Sequence, residues 1–215
     1  MQHIIAYKGL VHVSLGIVQE EYGAEYLPWP NKRIGIEGTL QRPPYTPQNW
    51  QDWVRSHSTS KGKDEVFAVL EHTKTEGSEG CRYIGHTGIH GITWPDGRAK
   101  TGSVLGADHS QARGYGTEAK LLLQYHAIMV LGLRKLTSVV KGWNAQSLGH
   151  LIKCGYRICG RHKEQLFHDG KYVDEIILEV FRADWEPLWD IYQTANQLPK
   201  LTPDQKHLIA TETKS

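Results

Sequence analysis

One short segment constrains this chain more than any other: a glycine-containing turn that opens directly into an apolar helical pattern. The turn reads Gln111-Ala112-Arg113-Gly114-Tyr115-Gly116, and the helical pattern runs from about Thr117 to Leu133. Glycine permits backbone conformations and close approaches that a side chain forbids, so consecutive N–H groups can point at one anion. A helix that begins at the same place adds the positive end of its dipole. The segment therefore predicts a site for a phosphate or pyrophosphate group.

The residues around the turn distinguish three classes of phosphate-binding loop. A nucleoside-triphosphate loop requires Gly-Lys-Ser/Thr, whereas Gly116 is followed by a threonine and a glutamate. A dinucleotide-binding turn fits Gly114, Gly116 and Ala119, yet it also requires an acidic residue about 20 positions later to hold the ribose hydroxyls. No Asp or Glu occurs between Glu118 and Glu164. Both of these classes are therefore disfavoured.

The stretch without acids is rich in cations, which suits a polyanionic ligand. These cations are Lys120, Arg134, Lys135, Lys141, Lys153, Arg157, Arg161 and Lys163. Coenzyme A, with a pyrophosphate and a 3′-phosphate, satisfies both the turn and the charge. The alternative is that the cations form only an exposed, solvated basic face.

The turn resembles the acetyl-coenzyme A turn, Q/R-x-x-G-x-G/A, of the GNAT superfamily of N-acetyltransferases. The family's next segment, N-x-x-S…K-x-G-F/Y, is matched by Asn144, Ser147, Lys153, Gly155 and Tyr156. The stretch from Asp169 to Glu175 and the apolar run after it are similar to the closing strands of the branch that includes the ribosomal-protein-alanine acetyltransferases. The resemblance covers roughly Val11 to Trp185.

The resemblance implies an α/β fold with a mixed, mostly antiparallel central sheet, flanked by helices and splayed at the cofactor site. Strand and helix patterns alternate along the chain in agreement with this. Strands are predicted at 12–18, 66–71, 83–92, 101–107, 136–140 and on both sides of Asp169-Gly170, and helices near 48–56, 117–133 and 145–154. Residues 1–185 are expected to form one acetyltransferase domain, and 186–215 a C-terminal helix with a partly mobile tail.

The resemblance also implies a set of cofactor-binding residues. In this family, backbone groups of the strand before the turn hold the pantetheine arm and the thioester, and the matching positions are Val104, Leu105 and Gly106. Gly106 replaces a bulkier apolar residue, which is expected to widen the space near the acyl group or to loosen the strand. The remaining members are Gln111, Ala112, Arg113, Gly114, Tyr115, Gly116, Thr117, Asn144 and Ser147. No metal is expected.

Candidate catalytic residues follow from the same resemblance and from the strand pattern. The tyrosine that many family members use as the acid is replaced by Leu151, and the thiolate-side role of the branch carries over to Ser147, with local backbone hydrogen bonding as the alternative. The branch's frequent glutamate base is matched by Thr101. His86 and His90 alternate on one strand face and are candidate bases, beside a water chain or an amine that arrives neutral.

The function implied is transfer of an acetyl group from acetyl-CoA to a primary amine by direct attack. The acceptor is a small-molecule or amino-sugar amine or a protein N-terminus; a catalytically weakened CoA-binding or interaction module and an aminoglycoside N-acetyltransferase are alternatives. Aromatic residues of the N-terminal third and one later tryptophan are expected to line the acceptor pocket, with core packing as the alternative for each: Trp29, Tyr45, Trp50, Trp53 and Trp94.

Charge and hydropathy exclude other partners. A net charge of +2 gives no argument for nucleic acid. No apolar run reaches the roughly 18 residues that a membrane helix needs. We expect a cytoplasmic protein that uses neither a membrane nor a nucleic acid as partner, and a homodimer is left open.

Overall fold

A computed structural model describes residues 3–31, 45–58, 62–75, 78–106 and 113–213. The strands are β1 (Ile5–Tyr7), β2 (Val13–Ile17), β3 (Glu65–Thr75), β4 (Ser78–Thr93), β5 (Arg98–Leu105), β6 (Lys135–Lys141), β7 (Arg157–His168) and β8 (Lys171–Phe181). The α-helices are α1 (Gly23–Tyr26), α2 (Pro47–Ser58), α3 (Tyr115–Tyr125), α4 (Ala145–Lys153), α5 (Arg182–Ala195) and α6 (Pro203–Glu212). A 3₁₀ turn (Glu20–Tyr22) precedes α1, and a π-helical turn (His126–Val130) follows α3. No helix in the described ranges is long and apolar enough to cross a membrane.

The eight strands belong to one open, mixed sheet in the order β1-β2-β3-β4-β5-β6-β8-β7. The registers of β1–β2, β2–β3, β3–β4, β6–β8 and β7–β8 are antiparallel, and that of β5–β6 is parallel. The β5–β6 register covers three pairs, from Arg98 with Lys135 to Lys100 with Thr137, whereas β5 continues to Leu105. The expected mixed, mostly antiparallel sheet flanked by helices is confirmed.

The chain divides into two compact units. Unit 1 contains Met1–Ile92 and Gly102–Leu123, and unit 2 contains Thr93–Thr101 and Gln124–Ser215. The turn that leads into α3 and the predicted histidine bases belong to unit 1. The second family segment, at the start of α4, belongs to unit 2.

A bulge in β4 sets the direction of the side chains in unit 1. The β3–β4 register skips Ile84 between its pairs at Tyr83 and Gly85. A Cβ added at Gly85 would lie 2.1 Å from the carbonyl oxygen of Val104, so only glycine permits this approach of β5. An extra residue shifts the alternation of faces by one. Tyr83 and His86 therefore share a face, and a 3.1 Å hydrogen bond joins the hydroxyl to Nδ1.

A cluster of buried, mostly aromatic residues in unit 1 joins α1 and α2 to the sheet. Its buried members are Tyr22, Tyr26, Trp50, Ala68, Leu70 and Tyr83, and Trp29, Tyr45 and Trp53 pack against them while partly buried. The indole of Trp50 is 1% exposed, and its Nε1 donates to the carbonyl oxygen of Glu20 at 2.9 Å. Trp50 is therefore a core residue rather than a pocket wall. Trp94, by contrast, is 53% exposed.

The C-terminal segment of unit 2 contains two helices, α5 and α6, whereas the sequence predicted one. Within α5, Trp189 stacks on Trp185 and packs at a tilt against Tyr192, and it also stacks on Tyr125 with ring centres 4.8 Å apart. Helix α6 begins with a capping box formed by Thr202 and Gln205. A Cβ added at Gly149 of α4 would lie 3.3 Å from Cδ1 of Ile209, so α6 packs closely on α4. The predicted domain boundary after residue 185 stays a prediction.

Candidate functional site

The glycine turn leads into α3, which begins two residues before the predicted start. Gly114 has φ +88°, a conformation that L side chains rarely adopt. The first hydrogen bond of the helix runs from the N–H of Glu118 to the carbonyl oxygen of Gly114, at 3.0 Å. The N–H groups of Tyr115 and Gly116 come earlier in the chain, in the first turn, where N–H groups have no acceptor within the helix. Backbone donors therefore lie at the positive end of α3, an arrangement that binds phosphate. Two turn residues of the predicted set lie outside the described ranges: Gln111 and Ala112.

The side chain of Tyr115 fastens the turn to strands β3 and β4. Its hydroxyl donates to Glu71 Oε1 at 2.8 Å, and Arg82 donates to the other oxygen of Glu71 from Nη2 at 2.6 Å and from Nε at 3.1 Å. Burial raises the pKa of Tyr115, the bond to Glu71 adds to the rise, and Arg113 opposes it. The buried ring thus anchors the turn, which leaves the backbone N–H of Tyr115 as its predicted contact with the cofactor.

A second carboxylate holds the start of α3 to the N-terminal segment. Glu118 is fully buried, and its two oxygens accept four consecutive backbone N–H groups. Oε1 accepts from Leu10 and Val11, both at 2.8 Å, and Oε2 accepts from His12 at 2.6 Å and Val13 at 3.0 Å. The sequence did not predict these hydrogen bonds, because the donor residues lie 105 to 108 positions before Glu118 and no local pattern relates them to it.

The alternative interpretation of the basic segment, that its cations form only an exposed, solvated face, does not hold for every member. Lys120 is 1% exposed and so does not belong to such a face. It lies on α3, where most neighbouring residues are also buried, and its charge contributes to lowering the pKa of His90. Arg157 is exposed and forms an ion pair with Asp184 at 3.3 Å. Lys153 is partly exposed.

His86 lies among the aromatic rings of unit 1. Its ring centre is 4.7 Å from that of Trp53, 5.3 Å from Tyr26 and 6.3 Å from Trp50. Burial, with smaller contributions from the nearby His57 and His90, lowers the pKa of His86 to about 3. His86 is therefore neutral at physiological pH and a weak base.

His90 lies further along the same face of β4 in a more open setting. Its side chain is 40% exposed, and Nδ1 is 3.7 Å from Oδ1 of Asp64, which also accepts the N–H of Gly91 at 2.8 Å. Burial lowers the pKa of His90, whereas Asp64 opposes this change. The ring of His57 is 6.0 Å away. Both predicted bases therefore lie near a third histidine that sequence reasoning did not select.

Trp29 occupies the space expected beside Gly106. A Cβ added at Gly106 would lie 1.9, 2.1 and 2.4 Å from Cδ2, Cε3 and Cγ of that indole. The indole in turn stacks on Tyr83, with ring centres 5.7 Å apart and planes 10° apart. The expectation that Gly106 widens the space near the acyl group is wrong, because Trp29 fills what the missing side chain leaves open. Val104 and Leu105, the other predicted strand contacts, are partly buried.

The second family segment forms the start of α4 in unit 2. Asn144 Oδ1 accepts the N–H of Ser147 at 2.9 Å, so Asn144 and not Ser147 caps the helix. Leu151 is buried. Thr101, at the position of the frequent family glutamate, is buried and shares a 2.7 Å hydrogen bond with the hydroxyl of Tyr156. Burial raises the pKa of Tyr156, which packs in the core.

Comparisons with solved structures reveal the same fold in several acetyltransferases. A GCN5-related N-acetyltransferase from Brucella melitensis matches with a TM-score of 0.69 and 20% identity over 96% of each chain. Spermidine N-acetyltransferase from Vibrio cholerae, solved in complex with CoA and spermine, matches with a TM-score of 0.70 and 16% identity over 81% of this chain and 98% of that one. A proposed ribosomal-protein-serine acetyltransferase from Vibrio cholerae matches with a TM-score of 0.63 and 17% identity over 84% and 97% of the two chains.

Sequence comparison identifies the family as well as the fold. A search of curated proteins gave no match. The model of the acetyltransferase (GNAT) domain, however, matches residues 18–157, which is well over half of the chain and includes the turn and the start of α4. The chain therefore belongs to the GNAT family of acetyltransferases.

Proposed function

We propose that this protein transfers an acetyl group from acetyl-CoA to a primary amine by direct attack of the amine on the thioester. The observation that carries the proposal is the turn itself. Gly114 has a left-handed backbone conformation at the start of α3, and the first N–H groups of that helix follow it directly. In a member of this family, such a turn suits the pyrophosphate of coenzyme A.

Backbone groups, more than side chains, are assigned to the binding of the cofactor. The N–H groups of the turn and of the first turn of α3 bind the pyrophosphate, and Val104 to Gly106 hold the pantetheine arm and the thioester carbonyl. Asn144 and Ser147 complete the set by the family motif. Since Tyr115 is tied to Glu71 and Glu118 to the N-terminal segment, the donors of the turn are fixed before the cofactor arrives. Preorganised donors lose little freedom on binding.

His90 is the better supported of the two candidate bases. An efficient general base has a pKa near the working pH, and burial holds the pKa of His86 at about 3. His90 is more exposed, and Asp64, whose Oδ1 lies 3.7 Å from Nδ1, favours its protonated form. His90 would accept the proton that the attacking amine loses, directly or through water.

Ser147 is assigned to the leaving thiolate. The thioester carbon becomes tetrahedral when the amine attacks, and the carbon–sulfur bond then breaks to release coenzyme A as a thiolate that needs a proton. Because Asn144 caps α4, the hydroxyl of Ser147 is not required for capping. The thiolate-side role from the family branch is therefore retained for Ser147.

Two acceptor classes remain under this proposal. A small-molecule amine is supported by the likeness to a spermidine acetyltransferase whose structure contains spermine. A protein N-terminus is supported by the likeness to a proposed ribosomal-protein-serine acetyltransferase and by the closing-strand motif around Asp169. The ribosomal-protein branch stays part of the proposal.

Ligand-induced thermal stabilisation tests the cofactor assignment first. Coenzyme A and acetyl-CoA are expected to raise the melting temperature, and NAD and NADP are not, because a ligand that binds only the folded protein stabilises it. Thiol release from acetyl-CoA is then measured with spermidine, glucosamine, kanamycin and a peptide with a free N-terminus. Stabilisation by coenzyme A without thiol release for any amine would favour a binding module instead. Stabilisation by NAD alone would overturn the proposal.

A further inference from the structure

Trp29 and Gly106 fit each other as a large and a small residue at the end of β5. The indole lies so close to the Gly106 α-carbon that any side chain there would overlap it, with a Cβ only 1.9 Å from Cδ2. Gly102, in the same strand, shows no such demand, since a Cβ there would meet only His90, at 3.7 Å. The close fit is therefore specific to the end of the strand.

The indole of Trp29 is held in place from several sides. Its backbone N–H donates to the carbonyl oxygen of Tyr26 at 2.9 Å, and its ring stacks on Tyr83 and meets Tyr26 edge-on. Two residues later, the side chain of Asn31 donates to the carbonyl oxygens of Leu27 and Tyr45, at 3.0 and 2.8 Å. A large aromatic ring fixed in this way moves only at the cost of these contacts.

We propose that Trp29 determines acyl-chain specificity by closing the space into which an acyl group longer than acetyl would extend. The inference rests on the proposed function, which assigns Val104 to Gly106 to the pantetheine arm and the thioester. A smaller side chain at position 29 would leave the space beside Gly106 open, whereas the indole of Trp29 fills it. Discrimination by an apolar contact of this kind is worth about tenfold or more for each added methylene.

Binding of coenzyme A thioesters tests this without knowledge of the acceptor. Dissociation constants of coenzyme A, acetyl-CoA and butyryl-CoA are measured by isothermal titration calorimetry. Butyryl-CoA carries two more methylenes than acetyl-CoA, so the wild-type protein is expected to bind it at least about 100-fold more weakly. Trp29→Ala should reduce that ratio to about threefold or less, mainly by strengthening butyryl-CoA binding, and Trp29→Leu should give an intermediate ratio.

Matched variants separate this effect from a general loss of aromatic surface. Trp94→Ala removes an exposed indole of the turn after β4 and is expected to keep the wild-type ratio. Gly106→Ala should lower the melting temperature by several degrees because its methyl group overlaps the indole, whereas Gly102→Ala should change it little. In the Trp29→Ala background, Gly106→Ala should lower the melting temperature much less, because the new methyl group no longer overlaps an indole.

The outcomes distinguish this proposal from the proposed function. Wild-type binding of coenzyme A with equal affinity for acetyl-CoA and butyryl-CoA would overturn the acyl-chain role of Trp29 and leave the cofactor assignment standing. An unchanged ratio in folded Trp29→Ala and Trp29→Leu would do the same. Failure of the wild-type protein to bind coenzyme A or any of the thioesters would overturn both.

Discussion

At the level of single residues, Gly114 and Gly116 contribute to the turn by different physical means. Gly114 has φ +88°, so a side chain there strains the backbone even without a ligand. Gly116 lies within the first turn of α3 and is not among the glycines with a positive φ, so we attribute the glycine there to the proposed close approach of the ligand. Tyr115, between them, is tied down through its hydroxyl. Under the proposed function, backbone strain at Gly114 and ligand contact at Gly116 are therefore separate effects.

Gly114→Val is predicted to abolish coenzyme A binding, because the branched side chain disfavours the backbone conformation that aims the N–H groups. Gly170→Val is the matched control, since Gly170 has a similar φ of +81° in the β7–β8 turn and open space around it. Both variants should lose about 1–3 kcal/mol of unfolding free energy. Calorimetric titration with coenzyme A separates them, and undiminished affinity in Gly114→Val would remove the turn from the cofactor site.

Ser147→Ala is predicted to lower kcat by about tenfold or more with little change in coenzyme A affinity, because a proton donor acts mainly in the transition state. The helix should keep its stability, since Asn144 Oδ1 caps α4 through the backbone of Ser147. Asn144→Ala is the comparison that should lower stability, by about 1 kcal/mol. Full kcat in Ser147→Ala, measured as thiol release with the best amine, would end its catalytic role.

At the level of elements, α3 acts as the support of the turn. Two hydrogen-bonded carboxylates hold its first turn: Tyr115 of α3 donates to Glu71, and Glu118 of α3 accepts from the backbone of the segment at Leu10–Val13. Both carboxylates are engaged by protein donors, since Glu71 accepts from Arg82 and Glu118 accepts from four backbone N–H groups. Two buried acids can therefore lie close to an anion-binding turn while their charge is satisfied elsewhere.

Glu118→Gln is predicted to lower the free energy of unfolding by about 2 kcal/mol, because the amide offers one acceptor oxygen where the carboxylate offers two charged ones. Backbone amides of residues 10–13 should then exchange with solvent faster, which hydrogen exchange measures. Glu186→Gln is the control: its partner Arg182 lies on the exposed surface of α5, so little change is expected. Equal stability of Glu118→Gln and wild type would show that the four bonds are dispensable.

At the level of the whole molecule, stability depends on pH because folding shields some titratable side chains from water and so disfavours their charged forms. His86 is the clearest case, because it is neutral among aromatic rings when folded and has an ordinary pKa of 6.5 when unfolded. Between pH 6.5 and about 3 the unfolded chain binds a proton that the folded chain does not. The free energy of unfolding therefore falls as pH falls through this window, and His90, whose pKa is also lowered, contributes in the same direction.

His86→Gln is predicted to make the acid side of the stability curve less steep, by at most about 1.4 kcal/mol per pH unit. The slope is the readout, because loss of the ring also lowers stability at every pH. Urea unfolding between pH 4 and 6.5 measures it, with His207→Gln on the exposed surface of α6 as control. An unchanged slope in His86→Gln would mean that His86 is protonated in the folded protein.

The sequence by itself determined the family, the order of elements and the helix with its phosphate turn, because each depends on local spacing of glycines and apolar residues. The predicted strands all exist, but β1 was not predicted, and several strand ends were misplaced. Strand β3 runs to Thr75 where an end at 71 was predicted, and β4 starts at Ser78 where a start at 83 was predicted. Likewise α3 starts at Tyr115, and a π-helical turn follows it. Ends depend on pairing partners, which a local pattern does not contain.

Only the tertiary structure decided which residues meet across long sequence separations. The burial of Lys120, the four bonds of Glu118 and the overlap of Trp29 with the space beside Gly106 all join positions that no local period relates. A bulge at Ile84 also changed which residues share a face with His86. Local patterns fix backbone conformation, whereas the environment of each side chain is set by distant segments that only folding brings together.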